Sequence, residues 1–140
     1  MSDAWMFISS ILATVHWVPV IGVTLLSFGI GAVWYLPFLF GRTWLREIPP
    51  DDSGRKRSKL LVYLFSVVLL LIAFTNLSLV VAGTGAFSGL LTALQISVVW
   101  IATSIATTYL ITGRSWRVIA VDTSLYIVLF AVGGLTLGAF

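Results

Sequence analysis

The sequence predicts an all-α integral membrane protein, with four transmembrane helices and a short N-terminal interfacial helix. Three observations carry that prediction. The chain is 59% hydrophobic and 9% charged, its charges are clustered, and the uncharged intervals left between them are long enough to cross a bilayer. No residue from Ala4 to Gly41 is formally charged when His16 is neutral, none is from Leu60 to Gly113, and Asp122 alone interrupts Val118 to Phe140. A mean hydropathy of +1.09 is far from that of a water-soluble domain.

The first uncharged interval is 38 residues, roughly 57 Å as a single helix and more than a bilayer requires. It therefore has to break, and Pro19 marks the place, because it disfavours helical geometry at Val18 while fitting the first turn of a new helix. Residues 4–15 are expected as the interfacial helix, anchored by Trp5, and 18–40 as the first span. The rival arrangement divides this interval into two short spans and moves the N-terminus to the other side. The start, Met-Ser-Asp-Ala-Trp, lacks the positive n-region of a cleavable signal, so the first span is expected to stay in the mature protein.

Residues 42–59 form the one markedly polar segment, a basic loop with Ile-Pro-Pro-Asp-Asp-Ser-Gly at its centre and Arg55-Lys56-Arg57-Ser58-Lys59 abutting the second span, 60–82. Gly83-Thr84-Gly85 then makes a tight turn into a third span, 88–111, so these two helices are expected as an antiparallel hairpin. A short connection through Arg114 and Arg117 leads to the fourth span, 118–140.

Six of the eight Lys and Arg residues lie between Arg42 and Lys59, and the other two are Arg114 and Arg117, so all eight fall on one side. The positive-inside rule makes that side cytoplasmic and leaves both termini outside. Single cysteines introduced at Ser53 and Thr84 should then label from the cytoplasm and the outside respectively. Labelling of both from one side would exclude four spans. The calculated pI of 9.7 is no sign of nucleic-acid binding, because the cations are few and sit at membrane boundaries. With no cysteine, the chain has no disulfide or thiolate chemistry.

The stretch from Phe28 to Trp44 organises the chain, and its centre is Gly31-Ala32-Val33-Trp34-Tyr35-Leu36-Pro37-Phe38-Leu39-Phe40-Gly41, followed by Trp44. It resembles the signature of an uncharacterised bacterial and fungal membrane family, domain of unknown function 1761. Thr107-Thr108-Tyr109-Leu110, Gly113-Arg114, Asp122 and the run from Gly134 to Gly138 are similar, in order, to the family's last two helices. The resemblance covers about Trp17 to Phe140 and implies a four-helix membrane protein, with a bacterial inner membrane as the expected location. It departs from the family pattern at Thr112 and Tyr126, where an acidic residue and a histidine are expected.

Asp122 is the one acid inside a span, and burial at the bilayer centre would cost about 2.5–3.5 kcal/mol on insertion scales. It reads either as a structural group paired with Arg42, Arg114 or Arg117, which is the favoured reading, or as a proton or cation station. Asn76 and Gln95 lie at similar depth on consecutive helices, where they can pair across the hairpin or line a polar path. His16 is a weak candidate to ligate haem or a chlorin, since no second ligand accompanies it. Trp34, Tyr35, Trp44 and Trp116, with Arg42, Arg114 and Arg117, read as interface anchors. Gly22, Gly29, Gly31, Gly85, Gly89, Gly134 and Gly138 read as helix-packing positions. No catalytic or metal constellation is present and no cofactor is expected. The expected function is that of a non-enzymatic membrane protein in the lipid bilayer, forming a homo-oligomer or serving as accessory subunit of a larger complex. The alternative is a small transporter or channel with its polar path between helices or protomers.

Overall fold

A computed structural model describes residues 2–48 and 58–140. Among them there are only helices: α1 (Ser2–Ala13), α2 (Trp17–Trp34), α3 (Gly41–Glu47), α4 (Lys59–Val81), α5 (Ala86–Ile96), a π-helical segment (Ser97–Ala102), α6 (Thr103–Ile111) and α7 (Trp116–Gly138). Four stretches are long and apolar enough to cross a membrane: α2, α4, the continuous run Ala86–Ile111, and α7. The protein is an all-α chain of membrane-spanning helices, preceded by the shorter apolar α1.

The fourth span is the core. Half of the most apolar stretch of α7 is buried, against 22%, 28% and 17% for the three spans before it, and α7 touches α2, α3, α4, α5 and α6. The others are arranged around it with one face inward and the rest turned outward. Phe74 of α4 and Phe130 of α7 stack at the centre with ring centroids 5.7 Å apart, beside Leu77, Val81, Leu129 and Leu137.

Small residues set the closest approach. On the third span Gly89 and Ala93 are buried at four-residue spacing, and opposite them lie Gly134 and Gly138 of α7. A Cβ added at Gly138 would come within 2.7 Å of the Gly85 carbonyl oxygen, and the Gly85 amide donates to the Gly138 carbonyl at 2.8 Å. In lipid, where apolar surface gains little by leaving its solvent, backbones this close make up the association energy through dispersion. The third span therefore packs mainly on α7. Its expected partner α4 is joined to it by the Gly83–Gly85 turn, at positive φ of 72° and 95°, but touches it much less. A short turn decides which helices are antiparallel; it does not decide which surfaces meet.

Two helix ends differ from expectation. The first span stops at Trp34, six residues early, and the chain reverses through residues 35–40 before α3 begins. Pro37 lacks the amide a continuing helix needs, and the reversal is closed by Phe40 N–H to Trp34 C=O (3.2 Å) and Gly41 N–H to Leu36 C=O (3.1 Å). A Cβ at Gly41 would collide with the Tyr35 carbonyl, so no larger residue fits where α3 starts. In the expected loop 42–59, residues up to Glu47 belong to α3; the Pro-Pro-Asp-Asp turn and the basic run 55–57 lie outside the described residues. At the other end, α1 stops at Ala13, Thr14 Oγ1 donates to the Ile11 carbonyl (2.7 Å), and Pro19 falls in the first turn of α2.

Candidate functional site

Asp122 lies on α7, six residues or about 9 Å beyond Trp116, and only 5% of it is exposed. The aromatic turn after α2 and the end of α6 close over it. Tyr35 Oη donates to one carboxyl oxygen at 2.6 Å and Tyr109 Oη donates to the other at 2.9 Å. Beside them Trp34 Nε1 donates to the Val121 carbonyl at 3.2 Å. The end of α2 and α6 are thereby tied to one turn of α7 by side chains that the low-dielectric surroundings make costly to leave unpaired.

Each donor is held by its own segment. The Tyr35 ring packs edge-on against Trp44 of α3 (5.4 Å) and Trp34 packs against Phe40 (4.8 Å), so the reversal at 35–40 is an aromatic frame that aims both side chains at α7. Burial, and then the bond to Asp122, pushes the Tyr35 phenol well above the ordinary tyrosine value, which keeps it a donor. Tyr109 is fixed from below. Gly113, at φ 70°, and Arg114 close the end of α6 through Gly113 N–H to Leu110 C=O (3.1 Å) and Arg114 N–H to Tyr109 C=O (2.8 Å), a Schellman cap that needs glycine at its left-handed position.

The π-helical segment Ser97–Ala102 lies between the glycine seam and Tyr109 on the third span. Gly89, through the seam, and Tyr109, through Asp122, both meet α7.

The expected arginine partners of Asp122 do not hold it. Arg117 instead pairs with Glu47 of α3 at 3.5 Å, with its side chain 77% exposed, a contact worth about 0–1 kcal/mol. The two phenols reach Asp122 because they sit on helices that flank it, whereas Arg42 and Arg114 are exposed at the helix ends. Asn76 and Gln95 do not pair either: both are exposed, and Asn76 Nδ2 donates to the Ile72 carbonyl of its own helix (2.9 Å). His16 is exposed at the N-terminus of α2, near a cavity of about 140 Å³, and no group of three His, Asp or Glu residues able to hold a metal occurs among the described residues. Trp116 is exposed at the start of α7.

The glycines divide into two sets. A Cβ at Gly89, Gly134 or Gly138 would meet backbone across the α5–α7 seam, which Gly85 joins through its backbone alone, while a Cβ at Gly22, Gly29 or Gly31 would meet nothing within 4 Å. Gly31 borders an open groove of about 720 Å³ between α2, α4 and α7, which reaches from Tyr35 and Tyr63 down to Phe130. Reading the residues singly misses the Asp122 cluster, since a tyrosine at a span boundary looks like an anchor. Its signal lies in combination, because the two separated motifs that carry the family resemblance are the two that meet at Asp122.

Among curated proteins and solved structures, none matches this chain. The family described as "Protein of unknown function (DUF1761)" matches residues 18–138, nearly all of the spanning region and the whole Asp122 cluster, and the chain belongs to that family.

Proposed function

We propose that this protein is a non-enzymatic membrane subunit that works by lateral assembly, using the outer face of α2 against a second copy of itself or a larger membrane complex. The observation that carries this reading is the contrast between the two sets of glycines. At about 100° per residue, Gly22 and Gly29 lie within about 20° of each other, nearly opposite the buried face formed by Val20, Val23, Thr24 and Ser27. They make a smooth strip with no neighbour within 4 Å, flanked by exposed Val18, Ile21, Leu25 and Leu26. The other glycines of this chain that form a strip, on α5 and α7, are in close backbone contact, which is what small residues in membrane helices serve. Asp122 and its phenols act in this reading as the clasp that holds α2 in position. The membrane side that carries Arg42 on α3, Arg114 before α7 and Arg117 in its first turn faces the cytoplasm, following the asymmetry of charge.

The test is native mass measurement after mild-detergent extraction, with identification of everything that co-purifies. The parent is expected as a closed oligomer or a stoichiometric complex, and Gly29→Leu or Gly22→Leu should weaken it at least tenfold while the melting temperature stays within a few degrees. A solitary chain in the parent preparation, or assembly indifferent to both substitutions, would rule the reading out.

A further inference from the structure

We infer that the groove between α2, α4 and α7 is a binding site for one acyl chain of an anionic phospholipid from the leaflet on the side of the basic loops. Its length fits one leaflet. Along α4 it runs from Val62 to Ala73, 11 residues or about 16 Å, close to half of a hydrocarbon core about 30 Å thick. Its walls are those of a hydrocarbon site, with Leu69, Leu70, Leu125 and Leu129 along its length and Phe130 at the inner end. The volume, about 720 Å³, is within the usual range of about 300–1,000 Å³ for sites that enclose small ligands.

The shape selects a thin occupant. Phe28 of α2 and Tyr63 of α4, both lining the groove, meet edge to face with centroids 6.0 Å apart, so their rings bridge the two helices. A helix of a second copy, about 10 Å across with its side chains, does not fit past such a bridge, whereas a single hydrocarbon chain does. Charge selects the headgroup. Lys59 stands three and four residues before Val62 and Tyr63, hence on the same face of α4 one turn nearer the membrane surface, and is exposed. Glycine at 31 and alanine at 32 leave the α2 wall low, and a Cβ at Gly31 meets nothing within 4 Å.

This site is on the opposite side of α2 from Gly22 and Gly29, so it stands or falls apart from the assembly reading. The delipidated full chain would be titrated in detergent with phosphatidylglycerol and with phosphatidylcholine of identical acyl chains, and bound lipid counted by native mass spectrometry. One equivalent of phosphatidylglycerol should be retained at least tenfold more firmly than phosphatidylcholine. Gly31→Leu, which fills the groove without meeting protein, should weaken both at least tenfold with an unchanged circular dichroism spectrum. Ser66→Leu fills it from the α4 side and serves the same purpose if Gly31→Leu folds poorly. Lys59→Glu should abolish the preference for phosphatidylglycerol and leave phosphatidylcholine where it was. Retention unchanged in both filled variants, equal retention of the two lipids by the parent, or a lipid-free dimer dissolved by Gly31→Leu would overturn the inference.

Discussion

Gly134→Leu should prevent the third span from docking on α7 and lower stability by about 3 kcal/mol or more, at or beyond the upper end for an overpacked core. The reason is what a side chain would meet there: the Cβ alone falls on the Ala93 methyl and the Gly89 carbonyl, and backbone on the far side cannot rotate out of the way. The helices would have to separate, losing contact along the whole seam down to the bond between Gly85 and Gly138. Thermal unfolding in detergent reads this directly, with Gly29→Leu, where nothing lies within 4 Å, as the matched control. A Gly134→Leu protein that melts with the parent would show that the seam does not hold the fold.

Asp122→Leu should be the most damaging single change in the polar cluster, costing about 2–6 kcal/mol if two stranded donors cost about 1–3 kcal/mol each. Both phenols would lose their acceptor at once, in a place where only 5% of the aspartate surface reaches the outside. Asp122→Asn keeps one carbonyl acceptor and should fall between parent and leucine variant. The decisive comparison is with the triple variant Asp122→Leu, Tyr35→Phe, Tyr109→Phe. With the donors also removed it should recover at least half of the lost stability, because exchanging all partners for apolar groups costs less than orphaning some of them. If the triple variant is no better than Asp122→Leu, the carboxyl group has a role beyond accepting these two bonds. A pH-dependent flux through reconstituted parent protein, lost in a well-folded Asp122→Asn variant, would identify that role as transport.

The spans are legible because charge is so costly in hydrocarbon that its absence marks them almost residue by residue: α4 is Lys59–Val81 where the uncharged interval predicts 60–82, and α7 is Trp116–Gly138 where it predicts 118–140. What sequence patterns do not contain is the lateral arrangement. Hydropathy around α2, α4 and α7 is nearly uniform, so it does not tell which face meets protein, and aligned small residues describe both a glycine seam in α7 and an open strip in α2. The early end of α2 has a visible cause in Pro37, but a boundary rich in tryptophan and tyrosine reads equally well as the last turn of a span. The π-helical segment Ser97–Ala102, between the seam and Tyr109, is hidden as well, since its residues, Ser-Val-Val-Trp-Ile-Ala, carry no local mark of a widened turn.

Because α7 comes after the three helices that surround it, the order of synthesis runs against the order of packing. A ribosome adding about 5–20 residues per second delivers α2, α4 and the third span to the bilayer before the surface that unites them exists. During that interval the phenols of Tyr35 and Tyr109 have no Asp122 to bond, and Gly89 has no glycine opposite it. The third span, which packs mainly on α7, must therefore survive as a lipid-solvated helix until then, and the insertion of α7 becomes the committing event of assembly. Quality control that senses unpaired polar groups in the membrane would judge this protein by whether that last insertion has happened.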